Sequence, residues 1–168
     1  MSSVVTHAPG MDASALIRRA GLRVTEPRRA VVEALRARPH ASAEAVFQHV
    51  TASVPHTSLQ SVYNALGDFA DAGLVRRIEP AGRPGLFELR VDDNHHHVIC
   101  TQCGAVADVD CVVGDAPCLT PSETHGFAVH TAEVTYWGVC PDCAASATAT
   151  AEPRSDAGAS PTTTATTT

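Results

Sequence analysis

Residues 58–89, SLQSVYNALGDFADAGLVRRIEPAGRPGLFEL, contain the pattern from which the fold of this chain is predicted. The first half has apolar residues at helical spacing, namely Leu59, Val62, Leu66 and Phe69. Ser58 is suited to cap the start of this helix, and Gly73 is suited to end it. The second half has two strand-like runs around a Pro/Gly turn, which indicates a hairpin.

Three helical patterns precede this stretch. Residues 13–20 predict a short amphipathic helix that ends at Gly21, and a second helix begins at Thr25. Ser42 is a plausible N-cap for a third helix, which Pro55 ends. Helices followed by a hairpin are typical of a winged helix-turn-helix.

The second half of the chain has a different pattern. Residues 97–110 predict a hairpin with a Cys-x-x-Cys-Gly tip, and residues 126–140 contain two further strand-like runs. Residues 111–125 between them predict a short helix and a loop. Residues 144–168 are almost entirely Ala, Thr, Ser and Pro with a few charges, so this tail is expected to be disordered.

The charge is divided unevenly along the chain. The net charge is −6 and every basic residue is Arg; ten Arg and seven acids lie in residues 1–83, whereas residues 84–168 hold two Arg and eleven acids. The basic half suggests contact with a polyanion, and the acidic half, with all six Cys, suggests cations. No apolar run approaches the ~20 residues of a membrane span, and no export signal is recognised. We therefore expect a cytoplasmic protein with no membrane partner.

Two Cys-x-x-Cys pairs, formed by Cys100, Cys103, Cys140 and Cys143, have the spacing of zinc knuckles. Two such pairs supply a closed tetrahedral site for structural Zn²⁺. The alternative is a pair of redox motifs, for which the expected βαβ context is missing. Two roles are possible for Cys111 and Cys118. They could be small buried residues, or they could form a further redox pair or supply further metal ligands.

A second set of metal ligands surrounds the run His95-His96-His97. On an extended segment His95 and His97 point the same way, and the acids Glu88 and Asp108 lie nearby in sequence. Imidazoles with carboxylates suit Fe²⁺, Mn²⁺, Zn²⁺ or Ni²⁺. The alternative is a run of solvated surface histidines, and His40 by itself indicates no more than polar surface.

The exposed face of the helix in residues 58–73 offers groups that hydrogen-bond bases and phosphates: Gln60, Ser61, Tyr63 and Asn64. Arg23 and Arg28 are further candidates, for phosphate or minor-groove contact. For any single arginine a solvated surface is about equally plausible. Because the basic half carries only about +3, useful affinity for DNA is expected to need a dimer.

These motifs, taken in order and spacing, resemble the ferric uptake regulator family. The resemblance covers roughly residues 13–143 and rests on six segments: AGLRVTEPR at 20–28, AEAVFQHV at 43–50, SVYNALGDFADAGLV at 61–75, FEL at 87–89, HHHVICTQCG at 95–104 and YWGVCPDC at 136–143. It implies an α+β protein with a winged-helix DNA-binding domain and a metal-binding dimerisation domain, which we place at residues 1–83 and 84–145. The composition then leaves residues 146–168 as the disordered tail.

The resemblance also implies roles for individual residues. The four cysteines match structural zinc ligands, and the regulatory Fe²⁺ or Mn²⁺ site would be formed by His40, Glu88, His95, His97 and Asp108. Tyr63 matches a base-contacting tyrosine and Arg23 a residue that reaches the minor groove. A third site in some members suggests His96, Asp115 and His125 or His130, although Ala132 stands where a strand histidine is usual.

The implied function is a homodimeric, metal-dependent repressor that binds a double-stranded DNA operator. Residues 110–119 and 123–143 most resemble the actinobacterial branch that represses a catalase-peroxidase gene, which suggests control by peroxide through oxidation of histidines or cysteines. Glu88 stands where peroxide-sensing members typically have Asp, which favours the alternative of iron uptake; nickel or zinc regulation is a third. A non-haem iron oxygenase using His95, His97 and Glu88, and a zinc-knuckle protein adaptor, are rivals from other classes.

Overall fold

The computed structural model describes residues 11–89, 91, 95–110, 121–129 and 132–149. The helices are α1 (Ala13–Arg19), α2 (Glu26–Ala37), α3 (Ala43–Ser53), α4 (Leu59–Asp71) and α5 (Pro141–Ala149). The strands are β1 (Ala41–Ser42), β2 (Arg76–Ile78), β3 (Leu86–Glu88), β4 (His95–Cys100), β5 (Val106–Asp110) and β6 (Thr135–Gly138). No helix in these ranges is both long and apolar enough to cross a membrane.

The first four helices each begin at a side-chain cap. Asp12, Thr25, Ser42 and Ser58 each accept a hydrogen bond from the backbone amide three residues further on, at 3.1–3.4 Å. These bonds satisfy amides that have no partner inside the helix. The starts predicted at Thr25, Ser42 and Ser58 are confirmed.

The helices enclose one apolar core. Val62, Leu66 and Phe69 of α4 are fully buried, whereas Leu59 is partly exposed. They belong to the same buried cluster as residues of the other three helices, including Leu16, Ile17, Val31, Leu35, Val46 and Val50. The apolar face predicted for α4 is therefore the face that packs.

The first sheet has the strand order β1-β3-β2, and all its pairs are antiparallel. The β2–β3 hairpin is the predicted wing. Strand β1 is not predicted from the sequence, because two residues are too short to show a period. Since β3 pairs with both β1 and β2, the expected domain boundary between residues 83 and 84 would divide the wing, and in the structure the first sheet extends through Glu88.

The second sheet has the strand order β5-β4-β6. The predicted hairpin around the first Cys pair is confirmed as the antiparallel pair β4–β5, and β6 runs parallel to β4. Of the two strands predicted in residues 126–140, only β6 forms among the described residues. Residues 126–129 are irregular and follow a turn in which Gly126 has φ +80°, and Phe127 and Val129 are exposed rather than packed on the sheet.

The end of the chain also departs from prediction. Residues 144–149, which the composition predicts to be disordered, belong to α5, and this helix begins at Pro141 directly after Cys140. Alanine is the best helix former and proline is favoured at a first helical position, so this small-residue segment extends as a helix. The rest of the expected tail, the predicted helix and loop at 111–120, and Cys111, Asp115, Cys118 and His130 lie outside the described residues.

We expect Phe69→Ala to lower the free energy of unfolding by about 3–5 kcal/mol, because it empties a fully buried aromatic site in the helical core. Tyr63→Ala on the exposed side of α4 is the control, with a loss below about 1 kcal/mol. Urea denaturation at one protein concentration measures both. Similar small losses in the two variants would contradict the assignment of the packed face.

Candidate metal centres and DNA-binding surface

Ligand atoms of His40, Glu88, His97 and Asp108 all lie within 4.8 Å of one another. We call these residues, together with His95, the His/carboxylate cluster. His40 Nε2 lies 2.7 Å from Asp108 Oδ1 and 3.1 Å from Glu88 Oε2. His97 Nε2 lies 3.4 Å from Glu88 Oε1 and 3.7 Å from Asp108 Oδ1. Two imidazoles and two carboxylates therefore face one point.

His95 lies at the edge of this group. Its Nε2 is 3.1 Å from Glu88 Oε1 and 3.2 Å from His97 Nε2. The structure thus brings all five residues of the expected regulatory site together, although only four have ligand atoms within 4.8 Å of all the others. The predicted alternation along β4 holds here, because His95 and His97 both face Glu88.

The two sheets position these side chains. His97 pairs directly with Asp108 across β4 and β5, and Glu88 ends β3 of the wing. His40 precedes β1, whose Ala41 pairs with Phe87, so His40 comes next to Glu88. It adopts φ 58°, a left-handed conformation that is uncommon for residues other than glycine and that turns the chain from α2 into β1.

Burial and hydrogen bonding shape the charges in the cluster. Glu88 is only 1% exposed. Burial raises the pKa of its carboxyl, but hydrogen bonds from His40 and His97 and the nearby imidazoles outweigh burial and lower the pKa to about 2. The hydrogen bond to Glu88, with the charge of Asp108, raises the pKa of His40. A buried anion that is ionised at neutral pH, ringed by imidazoles, is a donor set that suits a divalent cation.

The four cysteines of the two Cys-x-x-Cys pairs form a second group, which we call the four-cysteine cluster; its ligand atoms also all lie within 4.8 Å of one another. Cys103 Sγ and Cys140 Sγ are 3.7 Å apart, close to the ~3.8 Å edge of a tetrahedron with Zn–S bonds of about 2.3 Å. The backbone amide of Cys140 donates to Cys100 Sγ at 3.3 Å, and such bonds lower the pKa of Cys100 to about 5. Sulfur neighbours, Cys140 first, raise the pKa of Cys143 to about 12. This cluster fits zinc.

The expected DNA-contacting residues of α4 are all exposed. Gln60 donates to Asn64 at 2.8 Å, and Ser61 shares a hydrogen bond of 2.9 Å with Ser58. The Tyr63 hydroxyl donates at 2.5 Å to Glu44 of α3, a hydrogen bond that raises the pKa of Tyr63 and lowers that of Glu44. The sequence reasoning missed Glu44, because a contact across 19 residues leaves no local pattern.

Arg23 and Arg28 differ in their surroundings. Arg23 is exposed. Arg28 forms an ion pair with Asp68 of α4 and donates to the carbonyl of Arg23 at 3.0 Å. Arg28 therefore links α2 to α4, and a DNA contact by this side chain would compete with that ion pair.

The third metal site is not assembled by the described residues. His96 points away from the cluster, and its ring lies 6.1 Å from that of Tyr136. His125 is exposed and lies 3.5 Å from Glu123. Neither belongs to a group of three or more possible metal ligands within the described ranges, and Asp115 lies outside them.

The wing also contacts the turn that joins Cys100 to Cys103. Arg83, in the loop between β2 and β3, donates from Nη2 to the carbonyls of Thr101 and Gln102, at 3.3 and 3.4 Å. These two residues separate Cys100 from Cys103. A side chain at Gly104, which has φ +80°, would collide with the Arg83 guanidinium, so glycine permits this close approach.

Winged-helix architecture with two metal-ligand clusters defines a metal-responsive DNA-binding regulator. The model of the ferric uptake regulator family matches residues 19–137. The chain is 51% identical over 142 residues to the transcriptional regulator FurA of Mycobacterium tuberculosis, covering 84% of this chain and 97% of that protein. It is 28% identical over 133 residues to the peroxide-responsive repressor PerR of Staphylococcus epidermidis, covering 79% and 88%.

Among solved structures, the ferric uptake regulator of Vibrio cholerae is similar, with a TM-score of 0.62 and 29% identity over 77% of this chain and all of that one. The chain belongs to the ferric uptake regulator family, and it is a metal-responsive transcriptional regulator. Members of this family are transcriptional regulators rather than enzymes, which overturns the oxygenase alternative.

We expect the affinity of the His/carboxylate cluster for Mn²⁺ to fall as the pH decreases from about 8 to about 6. Because the pKa of His40 is raised, more of this imidazole is protonated as the pH decreases. The proton must leave before the ring nitrogen can bind a metal, so binding weakens. Calorimetric titrations in buffers of different ionisation enthalpy measure both the affinity and the proton release. A pH-independent affinity would contradict the involvement of His40.

Proposed function

We propose that this protein is a repressor that binds a DNA operator as a homodimer, with Zn²⁺ in the four-cysteine cluster and Fe²⁺ or Mn²⁺ in the His/carboxylate cluster. One observation carries the proposal: the His/carboxylate cluster joins the DNA-binding unit to the second sheet. His40 and Glu88 come from the winged-helix unit, whereas His95, His97 and Asp108 come from β4 and β5.

This placement gives a physical route from metal to DNA. A cation held by ligands from both units binds most tightly when the units lie in the one arrangement that brings all the ligands together, and it favours that arrangement by the difference in affinity. The hydrogen bonds of His40 to Glu88 and Asp108 already hold the ligands near that geometry. We infer that the favoured arrangement is the one that binds DNA.

The chemistry of the two clusters supports the choice of metals. Thiolates bind zinc strongly and enclose it, which suits a structural role. Nitrogen and oxygen ligands suit Fe²⁺ and Mn²⁺ and hold them less firmly, which suits exchange with the metal in solution. The sensed metal is thus assigned to the His/carboxylate cluster.

Exposed apolar side chains in β6 and in the irregular segments near it support a dimer. Large apolar side chains are exposed in the single chain at Phe127, Val129, Tyr136, Trp137 and Val139. A concentration of such side chains on one small unit is typical of a protein interface. Ferric uptake regulators bind DNA and act as dimers, and a dimer would present two copies of α4 to a palindromic operator.

On DNA, we infer that α4 enters the major groove. Its exposed residues, Gln60, Ser61, Tyr63 and Asn64, are available to base edges and phosphates. Arg23 stands on the same unit and would reach phosphate or the minor groove. Arg28 would add a phosphate contact only by giving up its ion pair with Asp68.

We further propose that peroxide relieves repression of oxidative-stress genes such as catalase. The similarity to FurA and to PerR supports this, as do the sequence stretches at 110–119 and 123–143. Ferrous iron in the His/carboxylate cluster would supply redox chemistry with peroxide. His40 and His95 are the imidazoles in that cluster expected to be oxidised. The second candidate is a repressor of iron uptake. Glutamate rather than aspartate at position 88 favours this candidate.

We expect His97→Ala to reduce Mn²⁺-dependent binding to an AT-rich palindromic duplex by at least about tenfold, because it removes a ligand that joins the two units. His125→Ala is the matched control, since this exposed imidazole belongs to neither cluster. Fluorescence anisotropy with Mn²⁺ or chelator measures the effect. Equal Mn²⁺ dependence of DNA binding in the wild type and in His97→Ala would contradict the regulatory site. If the affinity for the duplex did not decrease steeply with salt, the protein-adaptor alternative would be favoured.

For the peroxide response, we expect the Fe²⁺-loaded protein to gain an oxygen atom on His40 or His95 and to release DNA, whereas the Mn²⁺-loaded protein does neither. Peptide mass spectrometry and anisotropy on the same samples test this. Disulfides within the four-cysteine cluster with loss of zinc would assign the response to the thiols instead. Unchanged DNA binding after peroxide treatment would leave iron uptake as the function.

A further inference from the structure

Arg76, the first residue of β2, places a guanidinium beside the His/carboxylate cluster. Its cross-strand partner in the wing is Glu88. Arg76 Nη1 lies 3.8 Å from Glu88 Oε1 and 3.5 Å from His95 Nε2, and Nη2 donates to the carbonyl of Val91 at 3.4 Å. The side chain is about a quarter exposed, so its charge is partly shielded from water.

Glu88 needs positive charge around it. Its side chain is 1% exposed, and an ionised carboxylate that is so buried is costly unless cations or hydrogen-bond donors surround it. The imidazoles of His40 and His97 supply hydrogen bonds, but a metal ligand must give its nitrogen lone pair to the metal. Arg76 cannot bind a metal and keeps its charge at every physiological pH. It is the permanent cation of this group.

We propose that Arg76 is a resident counter-ion of Glu88 that weakens the affinity of the His/carboxylate cluster for divalent cations and so sets the metal concentration to which the protein responds. This inference rests on the proposed regulatory role of the cluster. Without metal, the guanidinium balances the buried carboxylate and is held in position through Val91. With a metal on the same carboxylate, the guanidinium becomes a like charge a few ångströms away.

The direction of the effect follows from electrostatics. Repulsion between a guanidinium and a divalent cation in a partly buried site is worth well over a tenfold change in affinity before screening. Because Arg76 is about a quarter exposed, solvent and salt reduce this effect without removing it. A lower affinity keeps the cluster empty of metal until the free concentration rises, which a sensor requires.

Arg77 offers a matched control on the same strand. Neighbouring residues of a strand point to opposite faces, and Arg77 is 57% exposed and lies 2.8 Å from Glu79. Removing its charge changes the net charge of the protein as much as removing that of Arg76. Any difference between the two variants in metal binding therefore reports on position and not on total charge.

The experiment is a calorimetric titration of Mn²⁺ into the zinc-loaded full chain at low ionic strength. We expect Arg76→Gln, which removes the charge and keeps a hydrogen-bond donor, to bind Mn²⁺ at least about tenfold more tightly than the wild type, or about 1.4 kcal/mol. Arg76→Met, a second neutral variant, should bind more tightly as well. Arg76→Lys and Arg77→Gln should stay within about threefold, and the gain of Arg76→Gln should shrink near 1 M salt, where the Debye length is about 3 Å.

Thermal unfolding supplies a second readout. Without Mn²⁺, zinc-loaded Arg76→Gln should have a lower melting temperature than the zinc-loaded wild type, because Glu88 loses its counter-ion. Mn²⁺ should then raise the melting temperature of the variant by more than it raises that of the wild type. Equal or weaker Mn²⁺ binding in both neutral variants overturns the inference. A different result would show that the proposed function is wrong. The affinity for Mn²⁺ would then be the same in His97→Ala and in the wild type, with or without the Arg76→Gln substitution.

Discussion

The buried carboxylate of Glu88 is the constraint on which the rest of this structure depends. It ends the last strand of the wing, it is almost inaccessible to solvent, and it stays ionised because hydrogen bonds from His40 and His97 overcome the cost of burial. An ionised group in that position requires partners on every side. The partners come from the loop before β1, from β2 and from the second sheet, so one charge holds the DNA-binding unit against the metal-binding unit.

The wing is consequently more than a DNA-binding hairpin. At its base, Glu88 and Arg76 lie at the His/carboxylate cluster, and in its loop Arg83 donates to the backbone carbonyls between Cys100 and Cys103. The hairpin therefore supplies residues to one cluster and contacts the turn that joins two cysteines of the other. A change at either cluster can reach the hairpin without first passing through the helices, and the hairpin is joined to the helical core because Phe87 of β3 belongs to the same buried cluster as Leu66 and Phe69.

The charges of the DNA-binding unit are also partly engaged. Arg28 is paired with Asp68, and the Tyr63 hydroxyl donates to Glu44, so two of the expected DNA-contacting side chains already have partners on a neighbouring helix. These contacts join α4 to α2 and to α3 in addition to the shared apolar core. The ion pair leaves the net charge of about +3 unchanged, because it joins one charge of each sign, but it engages one of the ten arginines of residues 1–83.

Local signals in the sequence by itself determined the first four helices, the wing and the two Cys-x-x-Cys pairs, because caps, helical spacing and the spacing within such pairs act over a few residues. The alternation that turns His95 and His97 to one side is also local. His40 gained a role only through the family resemblance. The start of α5 at Pro141 and its alanines are also local signals, although the small-residue composition led to the expectation of disorder. Tertiary structure alone decided that β1 exists and that β6 runs parallel to β4. It also placed Arg76 opposite Glu88, because strand register joins residues far apart in sequence, and no local pattern encodes which cation will face a buried anion.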